Sequence, residues 1–229
     1  MMNDEWDLDL LFPRVFEAKD TAPVMPVTSI VHDKDQDFID WLFELAKDLD
    51  EPGPWIAGGA ALRWYMGDPA TTDIDMFFSS EWQWNKFKQN LVENMGSIFD
   101  PNVQQKLTLS GPPHQSKNAW TYEMVHNNRN YKLQLVKKDF FNSAEAAINR
   151  FDISVCQIAI DGKDKVTVGD WFARDVAARQ FRLNEVTDST VPRVIKYMCY
   201  GFEPVESVRD TVLTSDRDNW VVRDDYHAF

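Results

Sequence analysis

Two cysteines, Cys156 and Cys199, are all that this sequence contains. Two separated thiols build neither a disulfide framework nor a zinc site of paired Cys-x-x-Cys type, and a reducing, cytoplasmic setting is the plain inference. Histidine is equally sparse. His32, His114, His126 and His227 fall at no ligand spacing, which argues against histidine-based metal or triad chemistry. No apolar run approaches the roughly 20 residues of a membrane span. The first residues, Met1 to Trp6, are acidic and lack the basic start of a signal peptide, so no membrane partner is expected. There is no Gly-x-x-x-x-Gly-Lys-Ser/Thr loop, no Gly-x-Gly-x-x-Gly and no Gly-x-Ser-x-Gly elbow. Positive charge is also short: 24 Lys and Arg against 37 Asp and Glu leave a net charge of −13. That balance works against a broad nucleic-acid footprint.

What is present points to a folded protein. Apolar residues make up 44%, with nine Trp and fifteen Phe among 229 residues, enough for one sizeable core or two small lobes sharing a cleft. Residues 1–35 are acidic and punctuated by Pro13, Pro23 and Pro26, and read as an arm with one short strand at Val27–Val31. A helix is expected over 36–49, with Phe38, Ile39, Leu42, Leu45, Ala46 and Leu49 as its apolar stripe and Glu51-Pro52-Gly53-Pro54 as its stop. Asp33, Asp35, Asp37 and Glu44 match four positions of a calcium-loop template. Phe38 stands where that loop needs Gly, so these acids read as a helix N-terminal turn.

Further along, Ser80 and Gln83 are placed to cap a helix over 81–95. Strands are expected at 104–109, 119–126 and 131–137, the last two joined by a turn at Asn127–Asn130, and the loop Ser110–Lys117 lacks periodicity. A short helix at 142–149 precedes Phe151–Ile160, a nearly continuous apolar run that reads as a central strand. A strand at 165–168, a helix capped by Asp170, a helix at 189–200 ending at Gly201 and a short helix at 205–214 complete the expectation. An acidic tail carries Trp220, Tyr226 and Phe229.

One stretch organises the rest. Trp55-Ile56-Ala57 reads as a strand, Gly58-Gly59 as a turn, Ala60 to Arg63 as the opening of a helix, and Asp73-Ile74-Asp75-Met76-Phe77-Phe78 as a second strand. Alternation puts Asp73 and Asp75 on one face, their Cα atoms roughly 6–7 Å apart, with Ile74 and Met76 on the other. Carboxylates on a core strand are costly unless paired or metal-bound. Asp152 likewise interrupts an apolar run. A glycine turn opening a helix offers backbone N–H groups to a phosphate. Arg193 and Lys196 lie three apart on one helix and share a face.

Gly58-Gly59, a short helix and then Asp73-Ile74-Asp75 resemble the signature of the polymerase-β-like nucleotidyltransferase superfamily. The resemblance covers most of 38–202 and is closest to compact phage- and virus-type members related to tRNA nucleotidyltransferases and poly(A) polymerases. It implies an α+β nucleotidyltransferase fold, a mixed sheet flanked by helices with a small C-terminal helical part: an arm at 1–35, a core at 36–186 and a C-terminal segment at 187–229. It implies a metal-dependent enzyme that moves an NMP from an NTP to an acceptor hydroxyl in the cytoplasm, the host's if the chain is phage-encoded. Asp73, Asp75 and Asp152 would hold Mg²⁺ or Mn²⁺ and act in catalysis. Gly58, Gly59, Arg63, Arg193 and Lys196 would bind the nucleotide. The acceptor is an RNA or tRNA 3′ end, a protein or a small molecule. In many members the third acid lies on the strand after a hairpin, where this sequence has Gln134. The alternative is a catalytically inactive member that binds nucleotide or a protein partner.

Overall fold

The computed structural model describes residues 30–68, 73–97, 108–162, 165–187, 190–206 and 208. The arm at 1–29, most of the helix expected at 205–214 and the tail aromatics lie outside these residues, as do 104–107 of an expected strand.

Helix α1 (Asp33–Glu44) starts earlier than its apolar stripe suggests. His32, in extended backbone, caps it by accepting the Lys34 N–H on Nδ1 at 3.2 Å. All six stripe residues are buried, as expected. Strand β1 (Trp55–Ala57), the Gly58 turn and α2 (Gly59–Tyr65) follow, then β2 (Asp73–Phe77) and α3 (Glu81–Ser97). The α3 cap forms almost as read: Ser80 Oγ accepts the Gln83 N–H at 3.0 Å, while Gln83 Oε1 reaches back to the Ser79 N–H at 2.9 Å. The short strands β3 (Thr108–Leu109) and β4 (His114–Gln115) lead into β5 (Ala119–His126) and β6 (Arg129–Val136). These two close through Asn127 and Asn128, both at positive φ, in the tight hairpin turn that Asn tolerates.

After α4 (Ala144–Ile148) the expected central strand is broken. Only Ile153 makes a bridge, to Leu183. Ser154–Cys156 forms a 3₁₀ turn, and the strand proper, β7, covers Ile158–Asp161. The cause is local. Ser154 Oγ accepts the Arg182 N–H and donates to Asp175, which draws the backbone out of the ladder. Strand β8 (Lys165–Val168) matches its expectation. Helix α5 (Phe172–Ala178) has Trp171 at its N-cap position and no side-chain cap, so Asp170 does not serve as expected. β9 (Gln180–Phe181), α6 (Thr190–Cys199) and β10 (Glu203–Pro204) complete the described chain, with Gly201 at φ +82 just beyond α6.

Among the described residues the main sheet runs β3-β5-β6-β2-β1-β7-β8, with β4 also paired to β5. β2 and β6 are parallel and the other pairs antiparallel, so the sheet is mixed and the fold α+β. One face carries Ile74, Met76, Leu133 and Leu135, all fully buried in one core with α1 and α3. Each such side chain contributes about 1.5–3 kcal/mol by leaving water. Phe38 stacks on Tyr131 at 4.1 Å and Phe78 meets Phe87 at 5.4 Å, which fixes these helices on that face. On the opposite face α4 covers only the β1–β7 end, where Trp55, Ala57, Ala144, Ile148 and Ala159 pack. Beside α4, that face of β2 and β6 lines a cleft. No helix among the described residues is long and apolar enough to cross a membrane.

Candidate nucleotide site

The cleft collects every residue that the sequence singles out: Gly58, Gly59, Arg63, Asp73, Asp75, Asp152, Arg193 and Lys196 all line it, together with Gln134. Gly58 sits at φ +80, ψ −135, a backbone conformation that side chains rarely adopt. Its N–H is spent on the Ile158 carbonyl at 3.0 Å, and its own carbonyl accepts the Leu62 N–H. Gly58 therefore shapes the turn. The amides of the first α2 turn, Gly59 to Ala61, have no intrahelical acceptor.

Across the cleft, β2 and β6 run in parallel register. Asp73 stands beside Lys132, and Asp75 beside Gln134. In-register neighbours on adjacent strands present their side chains to the same face. Asp73 is exposed, Asp75 is half-buried and Gln134 is buried. Loss of solvent is the main influence on Asp75 and pushes its carboxyl up to about 6. The nearby Lys196 and Lys132 ammonium groups and the Arg193 guanidinium oppose the shift, and Asp73 adds to it.

Asp152 enters the cleft from the loop before the 3₁₀ turn, off any strand. Both of its oxygens are occupied: Oδ1 accepts from Arg193 Nη1 at 2.7 Å and Oδ2 from Thr190 Oγ1 at 2.7 Å. Its backbone carbonyl accepts the Asn184 N–H at 2.8 Å. Buried at 4% exposure, Asp152 is thus a charge neutralised by the base of α6. The residue in register with Asp75 is Gln134. Arg63 makes two contacts with Asp68, at 2.8 Å through Nε and 2.7 Å through Nη2, and lies 5.5 Å from the Tyr200 ring centroid.

Among the described residues no three His, Cys, Asp or Glu side chains are grouped to hold a metal. The donors that could hold a divalent cation are fewer. Asp73 and Asp75 share a face, the second partly withdrawn from solvent, and the amide oxygen of Gln134 beside it is a neutral donor. They do not supply the three carboxylates that the resemblance implies.

Two residues of the cleft were missed in the sequence, although their signal is there. Tyr197 and Tyr200 join Arg193 and Lys196 at spacings of three, four and seven, a single helical face. The buried Tyr197 hydroxyl bonds the Cys156 thiol, and burial pushes that thiol up to about 12.

Comparison with known proteins agrees with this architecture. Residues 32–179 match the family described as Gad2, Gabija anti-defense 2 family protein. A search of curated proteins finds no match. Three similar solved structures are CCA-adding enzymes. That of Thermotoga maritima, complexed with tRNA, is 13% identical with a TM-score of 0.59, over 83% of this chain and 45% of that one. A CCA-adding enzyme with CTP is 15% identical with a TM-score of 0.55, over 81% and 42%. The Bacillus stearothermophilus enzyme with CTP is 17% identical with a TM-score of 0.53, over 81% and 44%. At these identities the likeness is one of fold, and the chain spans less than half the length of these enzymes.

Proposed function

We propose the following for this chain, which belongs to the Gabija anti-defense 2 family: its cleft binds a divalent-cation–NTP complex and transfers the NMP to an acceptor hydroxyl. One observation carries the reading. A positive-φ glycine turn, the Asp73–Asp75 pair and the Arg193–Lys196 face, from three separate parts of the chain, line one cleft.

Asp73 and Asp75 would hold the cation, Mg²⁺ or Mn²⁺, with Gln134 beside them. When bound, that ion supplies charge neutralisation of the triphosphate and a lowered pKa for an oxygen on it. The first-turn amides of α2 and the Lys196 ammonium donate to phosphate oxygens and offset the charge that develops on departing pyrophosphate. Arg193 is held by Asp152 and reaches the same phosphates from the far wall. Phe77 and Phe151, 5.6 Å apart edge to face, wall the cleft with apolar surface on which a base can stack. Asp73→Ala and Asp75→Ala are expected to fold normally and to lose at least about 100-fold in NMP transfer. The assay is incubation with labelled NTP, Mg²⁺ or Mn²⁺, RNA and the protein components of the Gabija system. The label's destination names the acceptor, and transfer that survives in the double variant defeats the reading.

A second reading, capture of nucleotide without transfer, is favoured by one specific observation: Gln134, not a carboxylate, stands in register with Asp75, and Asp152 is already paired. The two readings part on Gln134→Glu. A third carboxylate is expected to tighten Mn²⁺ binding about tenfold, measured by calorimetry, since opposite charges a few Å apart in a half-buried site are worth more than 1 kcal/mol by rough estimate. If that substitution creates transfer where the parent has none, capture is the native activity. Unchanged Mn²⁺ affinity removes Gln134 from the site.

A further inference from the structure

On a chain of net charge −13, a row of cations paired with aromatic rings leads out of the cleft. It starts at Tyr200, 38% exposed, whose ring centroid lies 5.5 Å from the Arg63 guanidinium and 6.0 Å from Lys196 Nζ. From the end of α2 it passes to Arg179, which donates to Met66 Sδ at 3.5 Å and lies 5.4 Å from the Phe202 ring centroid. It ends at Trp171, 41% exposed, with the guanidinium of Arg182 at 4.2 Å and that of Arg174 at 5.4 Å from the ring centroid. Helix α5, about 10 Å long at its seven residues, separates Trp171 from Arg179.

Two of the row's five cations are spent on neighbouring acids. Asp68 neutralises Arg63, and the buried Asp175 binds Arg182. Asp170 precedes Trp171 and Glu203 opens β10, both exposed. Arg174 and Lys196 are exposed cations beside the exposed rings of Trp171 and Tyr200. Arg179 is exposed too, but the Phe202 ring beside it is buried, so that position offers charge and no stacking surface. A guanidinium or ammonium covering one part of a ring leaves flat surface on which a base can stack, and every base has such a face whatever its identity. An acidic polypeptide would use the charges and leave Trp171 and Tyr200 unused.

We propose that this row is a binding track for single-stranded nucleic acid, running from the mouth of the cleft to Trp171. The proposal rests on the reading of the cleft as a nucleotide site, since the strand's end would enter there. With three cations on the track, the acids Asp170 and Glu203 beside them and a repulsive surface elsewhere, binding is weak. It depends on salt with a log–log slope of about −2, from about 0.7 ions released per phosphate neutralised on a single strand.

Fluorescence anisotropy of labelled oligouridine and oligodeoxythymidine against the full chain, over a salt series, tests this. Trp171→Ala is expected to weaken both at least about fivefold and Trp171→Phe to restore most of the loss. Arg179→Glu is expected to weaken them further and flatten the salt slope. None of the three touches the cleft, so Mg²⁺-dependent binding of a fluorescent ATP should be unchanged. Strand binding that ignores all three variants, or no strand binding at the lowest salt while ATP still binds, overturns the track and leaves the nucleotide site standing. Loss of ATP binding in the parent defeats the underlying reading instead. Polyglutamate binding as tightly, with the same sensitivity to Arg179→Glu and none to Trp171→Ala, shows an acidic-protein surface and overturns the proposal.

Discussion

Asp75→Asn is expected to make the protein more stable at pH 8 and, in the same substitution, to remove the metal-dependent nucleotide binding proposed for the cleft. The folded carboxyl titrates at about 6 against an ordinary 3.8, chiefly because it is desolvated. Between those values the native state holds a proton that the unfolded chain has lost. Stability of the parent therefore falls as pH rises through the window, and the full cost is present above about 6. Asparagine carries no such cost. Allowing for the partial exposure of Asp75, the gain at pH 8 is about 1–3 kcal/mol, or roughly 3–10 °C in Tm for a chain of this size. At pH 4 the two proteins should melt together. Adding Mg²⁺ and NTP at about 100 times Kd should close or reverse the gap, because the parent gains about 2.7 kcal/mol and the variant gains nothing. Melting curves at the two pH values, with and without ligand, contain the whole test. A variant no more stable than the parent at pH 8 shows that Asp75 is already compensated without a cation.

The second large effect lies away from the cleft. Asp35 is fully buried in the first turn of α1. It accepts from Trp64 Nε1 at 2.8 Å and from the Tyr131 hydroxyl at 2.7 Å, with the Arg129 guanidinium at 3.2 Å. Burial first, and then this bond to Asp35, hold the Tyr131 hydroxyl well above its ordinary value. One carboxylate thus ties α1, α2 and β6 together beneath the sheet. Asp35→Ala takes their shared acceptor from the Trp64 indole N–H, the Tyr131 hydroxyl and the Arg129 guanidinium, while Tyr131 keeps its 3.4 Å bond to the Lys34 carbonyl, and is expected to cost about 3–5 kcal/mol. A urea melt should show a lowered midpoint at unchanged slope. Asp35→Asn, which keeps an acceptor, should lose less. A change within about 0.5 kcal/mol, as for an exposed acid, means that the network contributes nothing.

Asp35 also shows where one-dimensional reading stops. In sequence it is one of several acids at a helix start, and solvated acids near a helix dipole are the ordinary case. Its partners stand 29 and 96 positions away, and no local pattern announces them. The chain does announce α1, α3 and the hairpin, because periodicity, a Ser/Gln cap and two adjacent asparagines are local causes with local effects. It misstates the stretch 151–160, because the apolar run is real but Ser154 bonds to Arg182 and Asp175, and those long-range bonds bend the backbone.

The Gly58-Gly59 turn and the Asp73–Asp75 pair were legible as a unit because their chemistry lies within adjoining turns and strands. Arg193 and Lys196 were legible as a face of one helix, and the face was wider than read, since Tyr197 and Tyr200 belong to it. That this face closes over the glycine turn is a tertiary fact. So is the arrangement of the acids. Strand alternation alone determines that Asp73 and Asp75 share a side. Only the parallel pairing of β2 with β6 decides that Gln134 is the neighbour of Asp75, and only the packing of α6 decides that Asp152 spends its charge on Arg193. Side-chain spacing along one strand follows from the backbone repeat, whereas the partner of a buried charge is chosen by whichever distant element the core brings against it.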